Sequence, residues 1–300
     1  LDVKECLARL DTIVKNVKFE TDRHAYKFRG HPGEFNNSLG YYRMMMMATV
    51  LQQDLGIHYN PERANPPWEP AESDAQFFGN SRDVFIHGLT REKGAGTCSS
   101  LPVFYVAIGR RLGYPLKLVK AKGHLYVRWD EGDESFNIEG TTIGFVSHPD
   151  SYYRTWPAAT TPEEELAEGY FKPLTPLQEL AVFLSIRGHC LRAAGDHRKS
   201  LGAFAQAFYK EPKSIGYQRL FARAEREAAQ VGTLPKRQAL LVEAGQLVIP
   251  DGPMRAHFYQ SKARLQAMLA GGAPEGEIEV ELQALKAELS RYQPPTSPVR

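Results

Sequence analysis

Cysteine, charge of one sign and long apolar runs are all scarce in this chain, and each scarcity removes a class of function. The three cysteines stand at positions 6, 98 and 190, an odd count at wide spacing with no CxxC or CxxH pattern. Neither a disulfide framework nor a short-spaced zinc site is written there, and no metal or cofactor is expected. The 37 basic and 35 acidic side chains leave a net charge of +2. With no long run of either sign, nucleic acid is not an expected partner. The longest apolar stretch, near Tyr41 to Leu51, is interrupted by Arg43 and Thr49 and falls short of the roughly 20 residues that cross a bilayer, so no membrane span is expected. The chain opens on Leu1 and passes directly into helix-like sequence. The expected compartment is cytoplasmic, with a trimmed leader and a secreted or periplasmic location as the alternative.

What is present suffices for a sizeable core: 42% of the residues are apolar. Asp2 and Glu5 give a capping start to a first helix with the stripe Val3, Leu7, Leu10, Val14, Val17. Cys6 lies on that stripe and Cys190 within a later helical pattern, so both read as small buried apolar residues. A second helix is expected from Asn37 or Ser38 to Leu55, stopped by Gly56, with Met44 to Met47 as core filler. Residues 59–80, rich in proline around Trp68, read as an irregular connection. From Leu116 to Trp129 the alternation is strand-like; Asp130 to Glu134 reads as a polar turn, and Ser135 to Thr141 as a returning strand. A helix before a hairpin makes an α+β core. After Pro162 the pattern is helical.

The chemistry centres on Cys98. The run Lys93, Gly94, Ala95, Gly96, Thr97, Cys98, Ser99, Ser100, Leu101, Pro102 leads into an apolar helix closed by Gly113. A cysteine at a helix start meets the positive end of the macrodipole and free backbone donors, which favour thiolate and can receive an oxyanion. A tight turn before a buried helix would look the same, so the cysteine alone decides little. His124 follows 26 residues later on a strand, sharing a face with Tyr126 and Arg128 while Leu125, Val127 and Trp129 face the other way. If the hairpin is symmetric about Gly132, position 124 faces about position 140 and Glu139 comes within one residue of it. Glu139 is then the group that orients the imidazole, and Asn137 the reserve candidate.

Read together, GTCSSLP, KGHLYVRW and FNIEGT resemble the transglutaminase-like branch of the papain-like superfamily. More narrowly, the chain resembles bacterial proteins in which a helical region precedes this core and tetratricopeptide repeats follow. Leu184, Gly188, Leu191, Gly195, Ser200, Phe204, Ala207 and Pro212 match the offsets of one about 34-residue repeat. The implied organisation is a helical N-terminal region over 1–74, the catalytic core over 75–160, repeat-like helical hairpins over 175–292 and a disordered tail over 293–300. The sequence departs from the family's usual aspartate in a hydrophobic-Asp-Pro context, placing Glu139, Gly140 and Thr141 there. It also has no glutamine shortly before the cysteine, position 92 being Glu92, so the second oxyanion donor is unidentified.

The implied activity is acyl transfer through a Cys98 thioester, with Cys98, His124 and Glu139 as the catalytic set and hydrolysis of a peptide, isopeptide or other amide bond as the favoured outcome. Transglutaminase-type amine transfer is one alternative. Another is a catalytically silent fold whose repeats bind a peptide partner; a metal site of His87, His124 and Cys98 is a third. Partners are thus a protein or peptide substrate and a peptide on the repeats. Tyr152, Tyr153 and Trp156 are candidates for a substrate groove, with buried packing the alternative; the substrate itself is unspecified.

Overall fold

The computed structural model describes residues 2–64, 73–91, 94–231 and 235–292, and is a mixed helix-and-sheet structure of the α+β kind. Trp68 with its neighbouring prolines, Glu92, Lys93 and the 293–300 tail lie outside the described residues. Helix α1 (Val3–Arg23) begins where the Asp2 carboxylate accepts from the Glu5 amide at 3.1 Å. Its buried stripe is Leu10, Ile13 and Val17; Val3 and Leu7 are exposed and Cys6 is only half-buried, so the first two turns run past the core's edge. Helix α2 (Leu39–Thr49) is capped by Ser38 and buries Met44, Met46 and Met47, the packing role expected of them. It widens into a π turn over Val50–Asp54 and stops before Gly56 at φ 67°.

Two short parallel strands, β1 (His58–Tyr59) and β2 (Ala95–Gly96), bring the segment before Cys98 against the N-terminal region. Helix α3 (Leu101–Arg111) follows. The main sheet is antiparallel, in the order β3 (Leu116–Ala121), β4 (His124–Glu131), β5 (Glu134–Ile138). Two sequence expectations change here. The strand-like run from Leu116 to Trp129 is two strands, because Gly123 at φ 75° folds the chain back and sets Ala121 opposite His124. The second turn is also tighter than expected: Glu131 pairs with Glu134, leaving only Gly132 and Asp133 between the strands.

Leu118, Leu125, Val127, Trp129 and Ile138 face the core made with α1, α2 and α3. Val119, Ala121 and Tyr126 face Tyr153 and Phe171, so the sheet is buried on both sides. Residues 169–175 are not helical. Phe171 and Leu174 donate backbone bonds to Lys120 and Leu118, and Pro173 bridges to Val119, so this segment runs along the edge of β3.

The C-terminal part comprises α4 (Pro162–Glu168), α5 (Pro176–Ala193), α6 (His197–Lys210), α7 (Ile215–Gln230), α8 (Lys236–Gly245), α9 (Arg255–Ala270) and α10 (Glu275–Arg291). Helices α5 and α6 pack closely where Gly188 meets the Phe204 ring; a Cβ there would lie 2.7 Å from it. Ser200 Oγ donates to the Gly188 carbonyl at 2.9 Å. The last three helices share a separate apolar cluster around Leu240, Leu265 and Leu282. Arg110 of α3 grips both carboxylate oxygens of Glu179 on α5 at 2.9 and 2.6 Å, fastening the helical part to the core. No helix among the described residues is long and apolar enough to cross a membrane.

Candidate active site

Cys98 is held by a knot of small polar side chains. It occupies the turn Cys98–Ser100 that leads into α3, three residues before the regular helix begins. Within that turn Thr97 Oγ1 accepts from the Ser99 amide at 3.3 Å, and Ser100 Oγ accepts from the Thr97 amide at 3.0 Å. Both hydroxyls then donate to the Asp83 carbonyl, at 3.2 and 2.6 Å. A Cβ at position 96 would stand 2.7 Å from Ser100 Oγ, so the knot closes only over glycine. The Ser99 amide is thereby used, while the Cys98 amide has no acceptor among the described residues and remains available to a ligand.

Across from it, the Lys122–Gly123 turn delivers His124 at the start of β4. Its Nε2 lies 2.9 Å from Glu139 Oε2, with the histidine side chain 3% and the carboxylate 1% exposed. The Cys98 side chain is near enough to act on the same ring, and with Nε2 engaged by Glu139 the nitrogen left to face a thiol is Nδ1. Burial pushes the imidazole down, yet the interactions with Cys98 and Glu139 and their charges lift it to about 9. Burial likewise pushes the Glu139 carboxyl up, but the His124 ring and the Thr141 donors overcome it and hold the group below its ordinary value.

Register explains why Glu139 reaches. The ladder Val127–Ile138 to Glu131–Glu134 extends to His124 opposite position 141, one residue beyond the symmetric estimate. That single step puts Glu139 on the face of His124, diagonally across from it, instead of on the opposite face. The carboxylate is then saturated. Oε1 accepts from the Thr141 amide at 2.9 Å and hydroxyl at 2.5 Å, and Oε2 accepts also from Tyr153 OH at 3.2 Å. The longer Glu, which stands where the resemblance leads one to expect Asp, is thus fixed from both ends.

Asn137, the reserve candidate, is not brought to His124. Its Oδ1 accepts from Arg128 Nε at 2.7 Å, and its Nδ2 donates to the His148 carbonyl and to Asp150 Oδ1 at 2.9 and 2.8 Å. Arg128 and Tyr126 also donate to Asp150 Oδ1, which makes Asn137 part of a polar brace behind the site. His87 also stays apart, lining a different cavity with Cys6; among the described residues no group of three or more His, Cys, Asp or Glu is placed to hold a metal ion. Of the three aromatics, Tyr153 is fully buried and stacks on Tyr126 at 3.9 Å. Trp156 is partly exposed and meets the His124 ring edge-on at 4.7 Å.

The sequence did not point to Thr141 or Tyr59, and it offered Tyr153 as a groove or packing residue, not as a partner of Glu139. Burial, with the charges of Cys98 and Glu139 nearby, pushes the Tyr59 phenol up, so it stays protonated beside the site. The only available signal was indirect: Thr141 lies two residues past Glu139, where an Asx-like return bond can form. A cavity of about 410 Å³ opens at Cys98 and His124 between the core and the helical part, and Lys120, Phe78, Ile186 and Tyr217 help line it. The chain matches no protein-family model, no curated protein and no solved structure.

Proposed function

We propose that this chain is a cysteine-dependent acyl-transfer enzyme of the transglutaminase-like kind, hydrolysing a peptide or isopeptide amide bond through Cys98. The observation that carries the reading is a buried imidazole held by a carboxylate at 2.9 Å and lining the same cavity as Cys98. A structural histidine gains nothing from being aimed at a half-buried cysteine that sits at the start of a helical turn.

The steps follow from the placement. Cys98 sulfur attacks the substrate carbonyl carbon as its proton resides on His124 Nδ1, and the carbonyl π pair moves onto oxygen. The free Cys98 amide donates to that oxyanion. The oxyanion collapses, the C–N bond breaks, and the imidazolium delivers its proton to the departing amine. Water, deprotonated by His124, then attacks the thioester, releasing a carboxylic acid and returning the thiol. Glu139 keeps the imidazole oriented and stabilises its cationic form throughout, and Thr141 and Tyr153 hold Glu139. Water is preferred to an amine as acceptor on the resemblance to bacterial hydrolases, and the α5–α6 hairpin is read as the first of the tetratricopeptide-like units.

The test is intact-protein mass after iodoacetamide at pH 6. We expect fast single labelling that disappears in Cys98→Ala and slows in His124→Ala. Equal, sluggish labelling of Cys6, Cys98 and Cys190 would instead identify a silent fold whose helices serve as a binding scaffold.

A further inference from the structure

The cavity at Cys98 has a lining that the chemistry above does not use. Much of it is apolar, from Phe77, Phe78, Leu125, Val182, Ile186 and Leu220. His189 joins them there, but burial and the nearby Arg223 push its imidazole down to about 4, so it adds no charge at neutral pH. The same lining includes Lys120 and Glu168, with Tyr170 and Tyr217 around the lysine.

Lys120 is unusual in its bonding. Its Nζ stands 3.8 Å from Glu168 Oε2 and 3.8 Å from Glu211 Oε2, both beyond hydrogen-bond reach, and its side chain is only 12% exposed. The ring centroids of Tyr170 and Tyr217 lie 5.6 and 5.2 Å away. Glu168 accepts from Ser214 Oγ at 2.6 Å and the Gly216 amide at 2.7 Å, and Glu211 Oε1 from Gln178 at 3.0 Å, while Glu211 Oε2 is buried without a hydrogen-bond partner among the described residues and Glu211 is not among the residues lining the cavity. Among the described residues the ammonium has no hydrogen-bond acceptor, and Lys120 is one of the residues lining the cavity.

The charges select what can use them. One ammonium and two carboxylates sum to −1. A carboxylate placed on Lys120 would stand a few ångströms from two others, two repulsions against one attraction. An incoming ammonium would meet Lys120 itself at contact. A neutral amide carbonyl takes an unused N–H with no charge conflict, and gives the ammonium, ion-paired at 3.8 Å, the hydrogen bond it otherwise lacks.

We propose that this cavity is the substrate pocket of the Cys98 site and that it receives an uncharged, apolar stretch of peptide, an amide carbonyl of which is bound by Lys120. The site then acts within a peptide chain and discriminates against a free terminus seated in this pocket. The inference rests on the acyl-transfer reading and adds the substrate class to it.

Three matched probes test it: chloroacetyl-leucyl-leucine ending in a carboxamide, a carboxylate or an aminoethylamide, with chloroacetamide as the tail-less reference. In each case Cys98 sulfur displaces chloride to give a thioether, and the second-order rate is read by mass at pH 7. The carboxamide probe is expected to exceed chloroacetamide and both charged probes by at least about tenfold, the worth of one hydrogen bond to a charged group. In Lys120→Met the carboxamide probe should lose about tenfold of its advantage over chloroacetamide, while the carboxylate probe, still facing Glu168 and Glu211, stays slow. Leu220→Trp, which fills the cavity wall without touching the charges, should lower the ratio of carboxamide probe to chloroacetamide at least about fivefold and decides the matter if Lys120→Met does not fold. Equal rates for all three tails, or a faster carboxylate probe, would overturn the pocket while selective labelling of Cys98 by chloroacetamide left the dyad standing. Failure of chloroacetamide to prefer Cys98 over Cys6 and Cys190 would overturn both.

Discussion

Replacing Glu139 by Gln keeps the shape of the side chain and removes its charge, which makes it the sharpest probe of the buried pair. The native carboxylate accepts four bonds, from His124, Tyr153 and twice from Thr141. In Glu139→Gln the amide nitrogen must point either toward His124 and Tyr153 or toward Thr141, and each side presents donors. Hydrogen bonds to charged groups contribute about 1.5–3 kcal/mol, and removing one partner of a buried ion pair costs about 3–5 kcal/mol. We expect a loss of about 3 kcal/mol in urea unfolding at pH 7, at the lower end because the amide retains some of the bonds. The same energy is about a hundredfold in the protonation equilibrium of His124, so iodoacetamide labelling of Cys98 at pH 6 should slow by up to about that factor. The assay is a time course by intact mass from pH 5 to 9, run beside urea titrations of both proteins. A variant that labels at pH 6 within about twofold of wild type, with an unchanged unfolding midpoint, would refute the claim that the carboxylate sustains the imidazolium.

Other consequences are equally direct. His124 sits at about 9 when folded against 6.5 ordinarily, so its contribution to stability is complete below pH 6.5 and is lost as pH rises through 9; urea titrations should show a fall of about 3 kcal/mol across that window, absent in His124→Ala. Glu139, held below its ordinary value, works the opposite way, and its contribution should disappear as the medium is acidified through the carboxylate range. Asn137→Ala should lower the melting temperature by loosening the Arg128–Asp150 brace while leaving the labelling of Cys98 within about twofold of wild type, since the histidine has its own carboxylate. Gly188→Ala drives a methyl into the Phe204 ring and should cost about 1–3 kcal/mol, read as an earlier thermal transition. Arg110→Ala abandons the buried Glu179 carboxylate, at a cost of about 1–3 kcal/mol after allowing for the half-exposed arginine; limited proteolysis should then cut faster between the core and α5.

The residues that were legible from sequence are those whose role is written locally. Ser38 announced the start of α2, the methionines its burial, and Leu125, Val127 and Trp129 the core face of β4 by their alternation. Cys98, His124 and Glu139 could be named because their order and local contexts are compact. The sequence is ambiguous by one or two residues at turns. Gly123 reads as part of a strand, but its positive φ makes it the reversal, and symmetry about Gly132 sets the register one residue off, which on a pleated sheet is the difference between one face and the other. Asn137 was plausible by spacing and is excluded by its Arg128 and Asp150 bonds, which join residues from three separate segments. Lys120 and the cavity wall were invisible for the same reason: the wall forms only when α5 and α7 fold against β3.

On the proposed acyl-transfer reading, that two-sided construction separates what is done to a bond from which bond is met. Cys98, His124 and Glu139 all come from residues 98–139, whereas Val182, Ile186, Tyr217 and Leu220, which line the same cavity as Cys98 and His124, come from α5 and α7. Mutation along the helical hairpins can therefore reshape the cavity without disturbing the Cys98, His124 and Glu139 cluster. Grafting a different pair of helices onto the Arg110–Glu179 fastening is, by the same logic, a route to a new cavity wall beside an inherited cluster.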